Sequence, residues 1–237
     1  MSIKSTIITV AAALTVAAGV GVGVGAAANA ATPKCGSQCS DFYSRAFGSA
    51  SVLDALNRPG RLAVLARASR ASQGEDFSVD ALGPVRDLAK AGLVAGGLNA
   101  LYGGLLAYEI EYTPGGSPTD RCLGVASTPA AGTPVALEPC GVTARTVWIF
   151  DPDGAYYVLI SAATNQGFSH PFALTALVPG FPLVTAPLAT GVPASVLARQ
   201  LWNAREGVLP SSLGRDLRLP YRYALRVRSY PPVLIPR

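Results

Sequence analysis

Four cysteines, one histidine and fourteen carboxylates are the residues of this 237-residue chain best suited to chemistry. The cysteines fall in two pairs, Cys35 with Cys39 and Cys122 with Cys140. An even number admits two disulfides in any of three connectivities, or a thiolate metal site. The metal reading needs histidine or carboxylate partners. The only histidine, His170, sits in a Ser169-His170-Pro171 turn, and no acidic cluster flanks either pair. The chain has no G-x-S-x-G, no H-E-x-x-H and no glycine-rich phosphate loop. Glu109 and Glu111 alternate within Tyr-Glu-Ile-Glu-Tyr and share one face of a strand. Paired carboxylates can do acid–base work, but two glutamates on a solvent face is the plainer reading. Asp54 and Glu75 would make a glycosidase-like pair if the fold joined them, and nothing in their sequence setting requires that. The expectation is therefore no catalysis, no cofactor and no metal.

Composition says where such a chain goes. Hydrophobic residues make up 50% and charged residues only 14%, a globular and not a disordered balance. Residues 1–30 read as a secretory signal peptide: Lys4, an apolar run from Ile7 to Val24, and an Ala28-Asn29-Ala30 cleavage site. The alternative is an uncleaved anchor, since the run is long enough to span, though it is rich in Ala and Gly. No other segment is long and apolar enough to cross a membrane, so none is expected after cleavage. An exported chain suits disulfides. Arginine far outnumbers lysine, which occurs only at Lys4, Lys34 and Lys90. With the Ala, Gly and Val excess, this suggests a high-GC bacterial genome.

The elements that must position these residues are many and short, as 25 glycines and 19 prolines imply. Period-two alternation and turn residues mark strands at Phe42–Phe47, Ser51–Leu56, Arg61–Arg67 and Glu75–Val79. A second set follows at Tyr108–Tyr112, Cys122–Val125, Pro134–Leu137 and Thr146–Phe150, closed by an Asp151-Pro152-Asp153-Gly154 turn. A third set is Ala155–Ile160, Phe172–Leu177, Pro182–Leu188 and the Gln200-Leu201-Trp202 segment. The interval from Leu53 to Phe77 is 24 residues, from Leu123 to Trp148 it is 25, and from Leu174 to Trp202 it is 28. That regularity points to an internal repeat. Residues 81–107 depart from it and read as an irregular connection with one short helix near Pro84–Val94, or a buried β segment around Leu98–Leu106. Ala31–Asp41 reads as a polar leader.

Within the second set, Cys122-Leu123-Gly124-Val125, the run from Gly132 to Cys140, Trp148 and Asp153-Gly154 resemble one repeat of a ricin B-type β-trefoil. The resemblance implies an all-β fold of three four-stranded pseudo-repeats over residues 31–209, with an irregular insert and a C-terminal extension at 210–237. A β-sandwich is the alternative all-β fold. It also implies a Cys122–Cys140 disulfide, which leaves Cys35–Cys39, and a core holding Phe77, Trp148 and Trp202. The family's sugar-holding aspartate corresponds to Asp54 in repeat one, to Gly124 in repeat two and to Thr175 in repeat three. Its Gln-x-Trp glutamine is Gln200 in repeat three and Thr146 in repeat two, and Arg199 replaces the usual asparagine. Gln73 and Glu75 are further donors or acceptors near Asp54. No repeat keeps the full set, and a buried Gln200 can instead hold a core turn.

The tail differs from the body. From Pro210 onward six arginines oppose one aspartate, so the basic charge of the chain resides there. Tyrosine and leucine alternate with arginine, which suits an edge strand, a disordered extension or an anionic-surface binder. The resulting expectation is a secreted, non-catalytic carbohydrate-binding module whose partner is a glycan or polysaccharide. The second expectation is a non-lectin trefoil that binds an extracellular protein or surface. Specific nucleic-acid binding is not expected.

Overall fold

The computed structural model describes residues 39–55, 62–69, 74–164 and 170–205. The segment 1–30, Cys35, Gln73 and the tail 210–237 lie outside the described residues. Strands form where apolar and other residues alternate, and they end at glycine turns. The turn after Asp153, for example, needs Gly154 at φ 64°. Among the described residues there are twelve strands in three sets of four. The first set is β1 (Cys39–Ser44), β2 (Ser51–Asp54), β3 (Val64–Arg67) and β4 (Phe77–Pro84). The second is β5 (Leu106–Tyr112), β6 (Arg121–Val125), β7 (Thr133–Pro139) and β8 (Val147–Asp153). The third is β9 (Tyr156–Ser161), β10 (Phe172–Thr175), β11 (Val184–Pro187) and β12 (Leu201–Arg205).

The first and fourth strands of each set close a six-stranded antiparallel barrel. β1 pairs with β4, β4 with β5, β5 with β8, β8 with β9, β9 with β12, and β12 returns to β1. Closure leaves the barrel no free edge. The middle strands form three hairpins, β2–β3, β6–β7 and β10–β11. These hairpins meet in a triangle. Ala63 N–H donates to the Val135 carbonyl (2.9 Å), Val135 N–H to Leu183 (2.9 Å), and Leu183 N–H back to Ala63 (2.8 Å). All three residues are fully buried. A six-stranded barrel capped by three hairpins about a pseudo-threefold axis is a β-trefoil, which settles the choice against a sandwich.

One core cluster fills the axis with Leu53, Leu123 and Leu174 and with Phe77, Trp148 and Trp202. The indole of Trp148 donates to the Leu123 carbonyl at 2.8 Å, and that of Trp202 to Leu174 at 3.0 Å. The Phe77 ring carries no N–H, so repeat one lacks this bond.

The insert is more ordered than its sequence suggests. It holds two helices, α1 (Val85–Lys90) and α2 (Gly96–Tyr102), and no β segment between Pro84 and Leu106. Both are too short to be stable alone. They exist because the outward residues of the barrel wall are apolar. Val85, Leu88, Val94, Leu98 and Tyr102 pack over Ala107, Val147, Ile149, Val158 and Ile160 in a second core cluster. Three further expectations change. Strand β1 begins at Cys39, so Cys39, Ser40 and Asp41 are buried in the barrel and do not belong to a polar leader. Asp151-Pro152-Asp153 extends β8, and the turn is confined to Gly154 and Ala155. Glu109 is buried and Glu111 half-buried, so neither stands on an open solvent face, because loops fold over both.

Cys122 and Cys140 are bonded, with Cα atoms 5.0 Å apart. Cys39 is also disulfide-bonded and lies 3.2 Å from the Thr113 hydroxyl. Replacing Cys122 and Cys140 together by alanine frees a loop whose closure is worth about 3 kcal/mol. Urea unfolding of the double variant checks this. A loss below about 1 kcal/mol would show that the hairpin is held by its other contacts.

Candidate functional site

Each repeat brings the same two positions together: the residue after the core leucine and the residue two before the core aromatic. A repeated backbone hydrogen bond sets their spacing. Ala55 N–H donates to Gly74, Val125 N–H to Arg145, and Ala176 N–H to Arg199, each at 3.0 Å. These bonds place Asp54 near Glu75, Gly124 near Thr146, and Thr175 near Gln200. The three pairs then diverge in what their side chains do.

In repeat three the pair is used internally. The Gln200 amide nitrogen donates to the Thr175 hydroxyl and to the Pro187 carbonyl, both at 3.0 Å. Its oxygen accepts the Ala189 N–H at 2.8 Å. Gln200 is 3% exposed. Its contacts are those of a strut joining β10, β11 and β12, and both ends of the amide are engaged.

In repeat two there is no room for a side chain at Gly124. A Cβ there would lie 2.8 Å from the Arg145 carbonyl and 3.2 Å from Thr146. Thr146 donates its hydroxyl to Glu109 Oε1 at 2.5 Å, and the same oxygen accepts the Val142 N–H at 2.8 Å. One strand turn along, Glu111 Oε1 accepts the N–H groups of Thr119 and Asp120 at 3.0 and 2.9 Å. Among the described residues, Val142 and Asp120 are the non-glycine residues with positive φ, 52° and 53°. A β-branched residue adopts that conformation at a cost, and each glutamate fixes the strained amide. The Glu109–Glu111 pair is thus a loop anchor. Sequence alternation identified the shared face but gave no sign of the loops covering it.

Repeat one differs. Asp54 is half-buried at the end of β2. Glu75 is fully buried, and its Oε1 accepts the Ser69 N–H at 2.7 Å. Asp76 is also buried and accepts the Gly115 N–H at 2.9 Å. Tyr112 stands across from Phe77 in the β4–β5 ladder. Burial, and after it the Asp54 and Asp76 carboxylates, push the Tyr112 hydroxyl above its usual value of 10.0. A neutral phenol donor therefore sits among carboxylate acceptors. Asp54 is the most exposed of these groups, and its carboxylate can accept hydrogen bonds from vicinal hydroxyls. Asp76 and Tyr112 were missed in the sequence. Their strand register, Phe77 opposite Tyr112, is the only sign of their proximity, and it depends on the fold.

Among the described residues no group of three or more His, Cys, Asp or Glu could hold a metal ion, and no helix is long and apolar enough to cross a membrane.

No family model matches this chain, and no curated protein does. Solved structures do. A designed three-fold symmetric protein, ThreeFoil, is 16% identical with a TM-score of 0.48, over 70% of this chain and 96% of its own. A Polyporus squamosus lectin bound to a human-type influenza-binding epitope is 13% identical with a TM-score of 0.47. That match covers 72% of this chain and 49% of the lectin, so the chain spans about half of it. A Macrolepiota procera ricin B-like lectin in complex with lactose is 14% identical with a TM-score of 0.43, over 72% and 96%. The strand pairings of the chain itself establish the trefoil independently.

The proximity of Asp54 to Tyr112 can be tested by titration. Asp54→Asn removes one negative charge and moves the Tyr112 ionisation midpoint down, read by phenolate absorbance against a Tyr112→Phe control. In the unaltered chain the raised folded value makes stability fall as pH rises above 10, and Tyr112→Phe lessens that fall. An unmoved midpoint would separate Asp54 from the phenol.

Proposed function

We propose that the chain is a secreted, non-catalytic carbohydrate-binding module with one working site, in repeat one. The observation that carries the reading is the contrast among the three equivalent positions. Gly124 is sterically closed and Thr175 is bonded to Gln200, whereas Asp54 stays half-exposed beside Glu75 and Tyr112. The ricin B-type sequence pattern supplies the ligand class, by analogy of fold. Asp54 is the acceptor for a pair of sugar hydroxyls. Glu75 and Asp76 shape the floor through the backbone amides they hold. In this reading Gln200 supports the fold and does not contact ligand. Two carboxylates engaged by backbone amides are poorly placed to shuttle protons, which favours binding over hydrolysis.

A second reading has its own observation. Leu177, Val178 and Phe181 are exposed at the β10–β11 turn, Phe181 by 59%. An apolar tip of this kind suits an extracellular protein partner.

The test is a neutral glycan array with the full chain, disulfides intact, beside Asp54→Ala. Binding that falls by more than about tenfold in the variant supports the sugar site, since a hydrogen bond to a charged acceptor is worth that much. Glycan binding that survives the substitution overturns the Asp54 site, and no glycan binding at all favours the protein partner.

A further inference from the structure

A cleft of about 480 Å³ lies away from Asp54, between the β1–β2 turn and the connection from β11 to β12. Arg45, Ala46 and Phe47 line one wall; Ala194, Ser195, Ala198 and Arg199 line the other. The walls are fixed to each other. Ala46 N–H donates to the Ala198 carbonyl at 3.1 Å, Ser44 donates its hydroxyl to the same carbonyl at 3.1 Å, and Arg45 N–H donates to Leu201 at 2.8 Å. The cleft therefore needs no rearrangement to exist.

Its chemistry is cationic and one-sided. Both arginines are exposed, no carboxylate lines the cleft, and among the described residues neither guanidinium makes an ion pair. The Arg45 guanidinium lies over the Tyr156 ring, 5.4 Å from its centroid. Stacking of this kind restrains the head group and leaves its in-plane N–H donors available. Arg199 faces the same space from the opposite wall, 154 positions later in sequence. Two forked donors across one cleft suit a carboxylate or a sulfate. The half-buried Phe47 supplies an apolar surface and Ser195 a hydroxyl. An apolar ring face, a neutral hydroxyl and two guanidinium groups are what an acidic pyranose presents partners for.

We infer that this cleft binds an anionic sugar unit, a uronate or a sulfated residue, at a site separate from Asp54. The inference rests on the carbohydrate-binding reading for the sugar itself, and on the two arginines for the charge. The anion spans Arg45 and Arg199, and the ring lies on Phe47. An acidic polysaccharide with neutral units could then occupy both sites along one molecule.

The experiment is calorimetric titration of the full chain with three probes: an oligogalacturonate hexamer, its fully methyl-esterified neutral form, and a sulfated galactose hexamer. The variants are Arg45→Ala, Arg199→Ala, Arg45→Lys and Asp54→Ala. A further variant replaces Arg215, Arg218, Arg222, Arg226 and Arg228 by glutamine, to remove the charge of the tail. Thermal unfolding shows that each variant remains folded. The expected result is binding of a charged hexamer, about tenfold weaker with either alanine at Arg45 or Arg199. Arg45→Lys recovers only part, and the esterified form loses the Arg45-dependent share. The carboxylate and sulfate arms identify which anion is preferred. The inference is overturned if no charged hexamer binds, or if binding persists in both cleft variants and falls only in the tail variant. Neutral-glycan binding that is lost with Asp54→Ala, together with charged-hexamer binding indifferent to both arginines, would overturn the cleft and leave the repeat-one site standing. Charged-hexamer binding that depends on the arginines, with no neutral glycan bound, would uphold the cleft and remove the repeat-one site.

Discussion

Three backbone hydrogen bonds that close on themselves hold the centre of this molecule: Ala63 to Val135, Val135 to Leu183, and Leu183 to Ala63. Singly, each is worth about 1 kcal/mol net. Their importance is that all three are buried together and that none has a substitute. Leaving one buried amide unmade costs about 1–3 kcal/mol, so the three hairpins must arrive in one register. That requirement fixes the core leucine one strand away in each repeat, and the aromatic that covers it. Trp148 and Trp202 strengthen the arrangement by donating to the leucine carbonyls beneath them. Phe77 can only pack, against Phe42 and Tyr112. Repeat one is thus the repeat whose core position makes no such bond, and it is also the repeat whose pair keeps a half-exposed carboxylate, Asp54, above a buried one, Glu75.

The threefold frame creates three equal opportunities for a site, and the side chains have used them differently. A frame this tightly paired tolerates different side chains at the equivalent positions, because each is accommodated by a local device. Gly124 lets the Arg145 carbonyl approach, and Thr146 turns instead to Glu109. Thr175 and Gln200 complete a hydrogen-bonded strut. The equivalent positions of repeats two and three therefore serve stability here. The cationic cleft arises from the same economy of position. It forms where repeat three meets repeat one at barrel closure, and the pairing of β12 with β1 brings its walls together.

The fold was legible in the sequence to the extent that it rests on period-two alternation and on the leucine-to-aromatic intervals. Leu123, Trp148 and the Cys122–Cys140 spacing are enough to identify one repeat, and the other two follow by interval. The insert was not legible. Two helices of six and seven residues, one with glycines at its start, carry little propensity. Their stability comes from apolar residues on the outer barrel wall, such as Ile149 and Ile160, which are distant in sequence. Cys39-Ser40-Asp41 looked like a polar leader because nothing local reveals that β4 and β12 will flank it. Of the candidate site, Asp54 was readable as the equivalent of a family position and Glu75 as a polar group near it. Tyr112 and Asp76 were not, because cross-strand register brings them in. Arg45 and Arg199 had no sequence link at all, since only barrel closure makes them neighbours.

The most direct measurement is an amide chemical-shift map of the isotopically labelled chain, titrated with the neutral glycan that scores highest on an array. The three repeats offer matched reporters: Ala55 and Glu75, Val125 and Thr146, and Ala176 and Gln200. One open site predicts shifts at Ala55, Glu75 and the adjoining Asp76 and Gly115, with the reporters of repeats two and three unmoved. Shifts at Val125 and Thr146, or at Ala176 and Gln200, with repeat one unchanged, would contradict the account.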